Sequence, residues 1–231
     1  MAGPGRPRLT ASPTGRGTRS DILASAARLF ATEGFAATTR AIAEGAGIRQ
    51  ATLYHYFANR DALLDALLTI TVHPTLQVAQ TLATHPGAPA ARLWAMAVWD
   101  SRQLSESDTN LGALYLLPEV QREEHSAFRR SWQDLRDSYG RLALTCRTGQ
   151  TGDDPTALGQ LAIGLVESII NERGRSDTSR TAAGPDEIAD AVVVLATQAP
   201  VTEATRAEGR SILATLPVQA GDPTRGLPAD D

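Results

Sequence analysis

Residues 38–61 constrain the fold more than any other stretch of this 231-residue chain. They hold two short helical patterns joined at Gly47, a turn position where the backbone needs the left-handed conformation that glycine adopts readily. Ile48 can fill the gap between the two helices, and Leu53 and Phe57, four residues apart, point inward together. The opposite face of the second helix mixes amide, hydroxyl, aromatic and imidazole groups. The stretch therefore predicts a helix-turn-helix whose second helix contacts another molecule.

A helix before this motif completes a three-helix domain over residues 18–65. Thr18 and Asp21 form a T-x-x-D capping box, which predicts that the helix begins there. Either Thr38 or Thr39 can cap the first helix of the motif by accepting a hydrogen bond from a free backbone N–H.

A longer helix follows the motif and should connect it to the rest of the chain. Asn59 can cap this helix, and Asp61 lies in its first turn, where the helix dipole favours an acid. Its apolar stripe is too wide for one neighbour, so we expect it to pack against two domains: Leu63, Leu64, Leu67, Leu68 and Val72. Pro74 lacks a backbone donor, so the helix should kink or end there.

The remaining chain predicts a helical body over residues 66–216, with no strand-like alternation and no internal repeat. Residues 1–17 and 217–231 are rich in Gly, Pro and polar or charged groups, so we expect a disordered arm and a disordered tail. The arm is either a solvated tail or a source of extra phosphate or minor-groove contacts through its arginines. The predicted fold class is all-α, and the predicted body helices cover about residues 90–104, 119–146, 155–172 and 185–198.

The last two predicted helices carry broad apolar stripes, and Gly159 and Gly164 would allow a neighbouring helix to approach closely. Two such helices from each of two chains would form a four-helix interface across a two-fold axis. The alternative is that both stripes are buried in the subunit's own core. The stripes comprise Leu158, Leu161, Ala162, Leu165, Val166, Ile169 and Ile170 in the first helix, and Ile188, Ala191, Val192 and Leu195 in the second.

Charge is divided unevenly along the chain. Residues 1–65 contain eight arginines and five acidic groups, a net charge of +3. Residues 66–231 contain fourteen arginines and twenty-one acidic groups, a net charge of −7. A basic end on an acidic body suits a chain that contacts phosphate at one end only. Every basic residue is arginine, so each phosphate contact would come from a planar, bidentate group.

Several classes of protein are disfavoured by what the sequence contains. The single cysteine, Cys146, rules out an internal disulfide and fits a reducing cytoplasm. No apolar run is long enough to cross a bilayer, and the first twenty residues lack the apolar region of a secretory signal. The four histidines show no metal-ligand spacing, and no phosphate-cradling glycine loop or nucleophile–base pair is evident. We therefore expect a cytoplasmic protein that is not an enzyme and has no catalytic residue, metal, cofactor or membrane partner.

The motif resembles the DNA-binding domain of the tetracycline-repressor (TetR) family of bacterial regulators. Two positions depart from the family pattern: Arg49 stands where a Ser-type cap is usual, and Gly45 replaces a better helix former at a cost of about 0.5–1 kcal/mol. Residues 111–119 are also similar to a segment in some members. The main likeness covers about residues 18–68 and lies in Ala26, Leu29, Phe30, Gly34, Thr38, Thr39, Arg40, Ile42, Ala43, Ala46, Gly47, Leu53 to Phe57, and Arg60 to Leu63.

The resemblance implies that the second helix of the motif reads half of a palindromic double-stranded DNA operator. Arg40 can pair with guanine O6 and N7, or it can contact a phosphate instead. Gln50 suits the edge of adenine, and Ala51 is small enough to contact a thymine methyl group. The other predicted DNA-binding residues would mainly contact phosphates and fix the register: Thr39, Arg49, Thr52, Tyr54, His55 and Arg60.

The resemblance also implies that the body binds a small molecule whose binding changes DNA affinity, and that two chains form a homodimer. The candidate ligand contacts are Trp94, Trp99, Tyr115, Trp132, Tyr139, Glu167 and Asn171. The alternative for each aromatic residue, which is favoured over ligand contact, is a place in the core, and Glu167 and Asn171 lie either at a cavity wall or in solvent. We therefore expect a ligand-responsive transcriptional regulator of the repressor kind, with an N-terminal helix-turn-helix domain and a C-terminal ligand-binding and dimerisation domain. The alternative is a helical small-molecule-binding protein or enzyme with a vestigial DNA-binding head.

Overall fold

The structure is a computed structural model that describes residues 12–106, 111–116, 118–147, 154–173 and 183–217. Over these residues the chain is helical and contains no strand, which confirms the all-α prediction. Short 3-10 turns lie at Gly34–Ala36, Leu111–Leu116, Pro118–Gln121 and Glu123–His125. The α-helices are α1 (Thr18–Glu33), α2 (Thr39–Gly45), α3 (Gln50–Tyr56), α4 (Arg60–Ala83), α5 (Pro89–Glu106), α6 (Ser126–Thr145), α7 (Pro155–Arg173), α8 (Pro185–Thr197) and α9 (Glu203–Leu213).

The start of α1 differs from the predicted capping box. Gly17 occupies the N-cap position and makes no side-chain cap. The buried Asp21 carboxylate instead accepts hydrogen bonds from Ser12 Oγ at 2.8 Å, from the Thr14 backbone N–H at 2.8 Å and from Thr14 Oγ1 at 2.6 Å. Donors from Ser12 and Thr14 therefore occupy the carboxylate that the capping box would have used. The segment just before α1 is held against the helix, so only the first part of the predicted arm, which lies outside the described residues, stays a prediction.

The helix-turn-helix forms as predicted, and the structure selects Thr38 as the cap. Its hydroxyl accepts a hydrogen bond from the Ala41 backbone N–H at 3.1 Å. Gly47 has a φ of 69°, in the left-handed region, and the side chain of Ile48 is buried behind the turn.

Packing against α1 explains why position 45 is a glycine, which could not be predicted from the sequence. A Cβ atom at this position would collide with Ser25 Oγ of α1. The absence of a side chain thus lets α1 and α2 approach closely, which offsets the lower helix propensity of glycine.

The connecting helix α4 does not end at Pro74, which was one of the two outcomes predicted for that residue. Asn59 caps it by accepting from the Ala62 backbone N–H at 2.8 Å, as predicted, but α4 continues through Pro74 to Ala83. Ending at Pro74 is therefore wrong, because packing of α4 against α1, α5 and α6 holds the helix together across the missing donor. The wide apolar stripe is fully buried, as the two-sided packing requires: Leu63, Leu64, Leu67, Leu68 and Val72.

By length and composition, α4 is the one described helix that could cross a membrane, with a mean hydropathy of 1.3 over its most apolar window. This differs from the expectation that no apolar run is long enough to cross a bilayer. The apolar side chains of α4 that account for this hydropathy are packed in the protein core. The hydropathy of α4 is thus that of a core helix.

The segment before α6 and the end of the chain also differ from the predicted helices. The predicted helix over 119–146 begins only at Ser126, because two 3-10 turns come first. These turns direct the His125 side chain into the interior, where it is fully buried beside α4. No helix was predicted for residues 203–213, where the structure has α9. Thr202 caps α9, and the helix packs on α5.

The apolar stripes of α7 and α8 are partly buried in the core of the subunit and partly exposed on its surface. Inward residues such as Val166 and Val192 are buried in the subunit's own core. Gly159 faces α6, where a Cβ atom would collide with a backbone carbonyl, whereas a Cβ atom on Gly164 would meet open space. An outer apolar face stays uncovered in the single subunit, with Leu161 56% and Val194 43% exposed. This outer apolar face comprises Leu161, Gly164, Leu165, Ala191, Val194 and Leu195.

Candidate nucleic-acid interface and ligand cavity

The two faces of α3 separate as their chemistry requires. Leu53 and Phe57 are buried against the rest of the domain and fix the orientation of the helix. The opposite side, which we call the reading face, is solvent-exposed and comprises Gln50, Ala51, Tyr54 and His55. Tyr54 is 47% exposed, a large fraction for an aromatic side chain. The reading face is thus a polar and aromatic surface on a rigidly packed helix.

The arginines near the reading face differ in how they are held. Arg40 Nε donates to Glu44 Oε1 at 3.0 Å, and both side chains are mostly exposed. Exposed pairs of this kind are weak, so the guanidinium can leave Glu44 for another partner at small cost. Arg49 is exposed and, as the N-cap residue of α3, makes no side-chain cap. Arg60 is half-buried, and its guanidinium points to the Ala37 carbonyl at 3.5 Å.

A hydrogen-bonded chain of side chains crosses from α2 to α3. The Gln50 amide nitrogen donates to Thr39 Oγ1 at 2.9 Å, and the same oxygen lies 3.1 Å from the Tyr54 hydroxyl. The structure therefore brings three predicted DNA-binding residues into direct contact. Thr52, also predicted, is half-buried beside them on α3.

The joint between the domain of α1 to α3 and the body contains a buried histidine. His125 Nδ1 lies 2.6 Å from Asp65 Oδ1, and His125 Nε2 lies 3.8 Å from Asp61 Oδ1. Neither His125 Nε2 nor Asp61 Oδ1 has a hydrogen-bond partner among the described residues. Both aspartates lie in the first two turns of α4, the helix that follows α3 along the chain. This pairing depends on tertiary contact, so no signal in the sequence indicates it, and His125 was weighed only as a metal ligand.

A small cavity lies in the body where α4, α5, α6 and α7 meet. Its volume is about 10 Å³, which is about enough for one water molecule. Apolar and aromatic side chains form most of its wall, together with two carboxyl groups. The lining residues are Thr71, Asp100, Leu104, Tyr115, Trp132, Leu135, Ile163 and Glu167.

Burial raises the pKa of both carboxyl groups that line the cavity. The pKa of Asp100 rises to about 6, although hydrogen bonds from Tyr139 and Thr75 favour its charged form. The Tyr139 hydroxyl donates to Asp100 Oδ2 and the Thr75 hydroxyl to Asp100 Oδ1, each at 3.0 Å. Burial raises the pKa of Glu167 to about 7, opposed by a hydrogen bond from Trp132 Nε1 at 3.0 Å. Asp100 therefore joins α4 and α6 at the cavity.

The predicted ligand contacts fall into separate groups. Tyr115, Trp132 and Glu167 line the cavity, and Tyr139 reaches it through Asp100. Trp94 and Trp99 lie elsewhere: Trp94 Nε1 donates to Asp190 Oδ1 at 2.9 Å, and Trp99 Nε1 donates to the Pro217 carbonyl at 3.1 Å. These two indoles bind α5 to the C-terminal part of the chain. The side chain of Asn171 lies outside the described part.

Sequence comparison places the N-terminal domain in a known group. Residues 22–67 match the profile described as "Bacterial regulatory proteins, tetR family". The chain is 49% identical over 51 residues to the HTH-type transcriptional repressor KstR2 of Mycobacterium tuberculosis. That match covers 22% of this chain and 26% of KstR2, so the chain aligns with about a quarter of the length of this curated relative.

Comparison of structures extends the likeness to the body. The crystal structure of Mycobacterium smegmatis AmtR is similar with a TM-score of 0.76 and 38% sequence identity, over 90% of this chain and 99% of AmtR. The structure of AibR in complex with isovaleryl coenzyme A and operator DNA shares the fold, with a TM-score of 0.63 and 18% identity. That alignment covers 78% of this chain and 97% of AibR. Given an identity of 38% over nine-tenths of its length, this chain belongs to the tetR family of bacterial regulatory proteins.

Proposed function

We propose that this protein is a homodimeric, ligand-responsive repressor that binds a palindromic DNA operator and is released from it by a small molecule. The reading face of α3 carries this proposal. Its polar side chains stand on a helix that Leu53 and Phe57 hold from behind, next to an exposed and only weakly paired Arg40. KstR2 is a transcriptional repressor by name, and AibR is seen with operator DNA, which supports the assignment.

On DNA, each subunit would place α3 in one major groove. Half-site readers of this kind have their reading helices roughly 34–36 Å apart, or a multiple of that distance. The second subunit would cover the outer apolar face of α7 and α8, since an uncovered patch centred on Leu161 and Val194 suits an interface. The predicted DNA contacts are Thr39, Arg40, Arg49, Gln50, Ala51, Thr52, Tyr54, His55 and Arg60. Such a protein would act in the cytoplasm.

The cavity is the proposed ligand site, and its contacts indicate how occupancy reaches the DNA. A space of about 10 Å³ is too small for a metabolite, so a ligand must push the surrounding helices apart. Thr71 lines the cavity and Thr75 binds Asp100, and both residues lie on α4. Nearer the start of α4, which follows α3 along the chain, Asp65 binds His125. A shift of α4 would thus change the position of the reading face.

The predicted boundary between the DNA-binding domain and the body, at about residue 65, lies within α4. In this proposal it separates two functions and does not mark a break between helices. α4 begins in the head and continues deep into the body, so one rigid element would link operator binding to ligand binding. A coupling of roughly 1–3 kcal/mol between the two sites is enough for a 5–150-fold change in operator affinity.

Fluorescence anisotropy with DNA that flanks the protein's own gene tests the proposal. We expect tight binding to one palindromic site, with an affinity that falls steeply as salt rises because arginines displace counterions. Scrambled DNA of the same length is the control. If no flanking DNA binds in a salt-sensitive way, the protein is instead a helical ligand-binding protein or enzyme with a vestigial head.

A further inference from the structure

One hydroxyl group contacts both kinds of DNA-contacting side chain on the reading face. Thr39 is the first residue of α2, whereas Gln50 and Tyr54 lie one turn apart on α3. Thr39 Oγ1 is 2.9 Å from the Gln50 amide nitrogen and 3.1 Å from the Tyr54 hydroxyl. Gln50 is suited to a base edge, and Tyr54 is suited to a phosphate.

Donor and acceptor roles limit this set of hydrogen bonds. An amide nitrogen can only donate, so Thr39 Oγ1 accepts from Gln50. Either hydroxyl can donate in the bond between Thr39 and Tyr54, and when Thr39 donates, the Tyr54 proton points outward. A phosphate oxygen can only accept, and it therefore matches the outward O–H of Tyr54.

The same bond leaves Gln50 with the groups that a base edge needs. The amide nitrogen has two N–H groups, and only one of them is used by Thr39. The second N–H and the carbonyl oxygen stay available, as one donor and one acceptor. Adenine presents the complementary pair in the major groove, an N7 acceptor and an N6 donor. A glutamine held in this way also loses less rotamer freedom on binding than a free one.

We propose that Thr39 is a positioning residue for operator recognition, one that holds Gln50 for base reading and aims the Tyr54 hydroxyl at a phosphate. This inference rests on the proposed DNA-binding function. It makes base reading and phosphate contact interdependent, since both side chains take their orientation from one oxygen. The Thr39 hydroxyl is not needed to cap α2, because Thr38 makes the cap bond to the Ala41 N–H.

The test compares Thr39→Val, which removes the hydroxyl but keeps the branched shape, with Thr39→Ser, which keeps the hydroxyl. Anisotropy would measure the dissociation constants for the operator and for a panel of operators with single base pairs replaced. The preference for the original base pair is the ratio of the dissociation constants of the replaced and the original operator. At the base pair that Gln50→Ala also affects, we expect Thr39→Val to lower this ratio about fivefold to tenfold. Thr39→Ser should restore that preference. In a Gln50→Ala background, Thr39→Val should change the preference little further, because coupled residues are non-additive.

Two controls separate positioning from folding. Thr38→Val removes the cap, so it should lower thermal stability and weaken binding to all sequences alike. Thr39→Val should keep the wild-type melting temperature. If the Thr39→Val protein fails to fold, Thr39→Ala is used instead, because it also removes the hydroxyl. A wild-type base preference in a folded Thr39→Val protein would overturn the proposal, as would a loss that adds fully to that of Gln50→Ala. Wild-type protein that binds no flanking DNA would instead contradict the proposed function itself.

Discussion

His125, which is fully buried, and Asp65, which is about one-third exposed, form a hydrogen bond of 2.6 Å between the body and the second turn of α4. The histidine precedes α6, and the aspartate lies five residues after the start of the helix that follows the reading helix. The other ring nitrogen of His125 lies 3.8 Å from Asp61 Oδ1, too far for a hydrogen bond. An ionised carboxylate can only accept, so bonds to Asp65 and Asp61 together would require an N–H group on both ring nitrogens.

We expect His125→Leu to destabilise the protein and to weaken operator binding. The substitution leaves the Asp65 carboxylate without its partner, and because Asp65 is about one-third exposed, water recovers part of the loss. The free energy of unfolding in urea should fall by roughly 1–2 kcal/mol. His125→Asn is the matched control, since its amide N–H can replace Nδ1 toward Asp65. Equal stability and operator affinity for all three proteins would contradict a role for this joint.

Arg40→Ala should change which sequence the protein prefers. A bidentate arginine–guanine contact is worth about 1–3 kcal/mol of discrimination, so one base pair of the operator should become nearly neutral to replacement. Arg49→Ala serves as the comparison, because a lost phosphate contact weakens binding to all sequences by a similar factor. Anisotropy on the same panel of single-replacement operators measures both effects. A uniform loss in Arg40→Ala would assign Arg40 to phosphate.

Leu161→Asp should turn a dimer into a folded monomer. Leu161 is 56% exposed in the single subunit, so the charge costs little there, but it would be expensive at a covered interface. Sedimentation velocity should show the smaller species, and operator affinity should fall steeply. Gln80 is exposed on α4, outside the outer apolar face, and allows a control, Gln80→Asp, which should stay dimeric. A dimeric Leu161→Asp protein with normal operator affinity would place the interface elsewhere.

The close approach of α1 and α2 allows a rescue experiment. Gly45→Ala alone should destabilise the protein, because the new Cβ collides with Ser25 Oγ. Ser25→Ala removes that oxygen, which is buried without a hydrogen-bond partner among the described residues. The double variant should then exceed wild type in stability by about 1–2 kcal/mol, through better helix propensity and the loss of an unsatisfied hydroxyl. Urea unfolding of the four proteins measures this; a double variant no better than Gly45→Ala would contradict the proposed collision.

The carboxyl groups of the cavity should make stability fall as the pH rises. Folded Asp100 and Glu167 have raised pKa values, about 6 and about 7, so the folded state holds their protons more tightly than the unfolded state. Their protonated forms favour folding at low pH, and that advantage is lost between about pH 4 and pH 7. Asp100→Asn/Glu167→Gln should remove on the order of 2 kcal/mol of this pH dependence. Urea unfolding at pH 5, 6, 7 and 8 tests it, and parallel curves for the two proteins would exclude the effect.

Local patterns were enough to predict the head. The turn at Gly47, the cap at Asn59 and the inward pair Leu53 and Phe57 are determined within a few residues, and the structure confirms each of them. The exposed reading face follows from the same periodicity.

Features that depend on distant contacts could not be predicted in this way. Asp21 binds residues upstream rather than its own helix end, and packing carries α4 across Pro74. The turns before α6 form where His125 meets a carboxylate sixty residues away in sequence. Asp100 follows an apolar stretch of α5 over residues 93–99, and its position has no pattern that would reveal a cavity.

With the cavity as the proposed ligand site, its size would determine how fast a ligand can arrive. A space for about one water molecule would have to open before it could hold anything larger, so binding would proceed in two steps. The observed association rate should rise with ligand concentration and then level off at the opening rate of the helices. The apparent dissociation constant exceeds the intrinsic one by the inverse of the open fraction. A substitution that only enlarges this space, such as Leu135→Ala, would then speed association without adding any contact to the ligand.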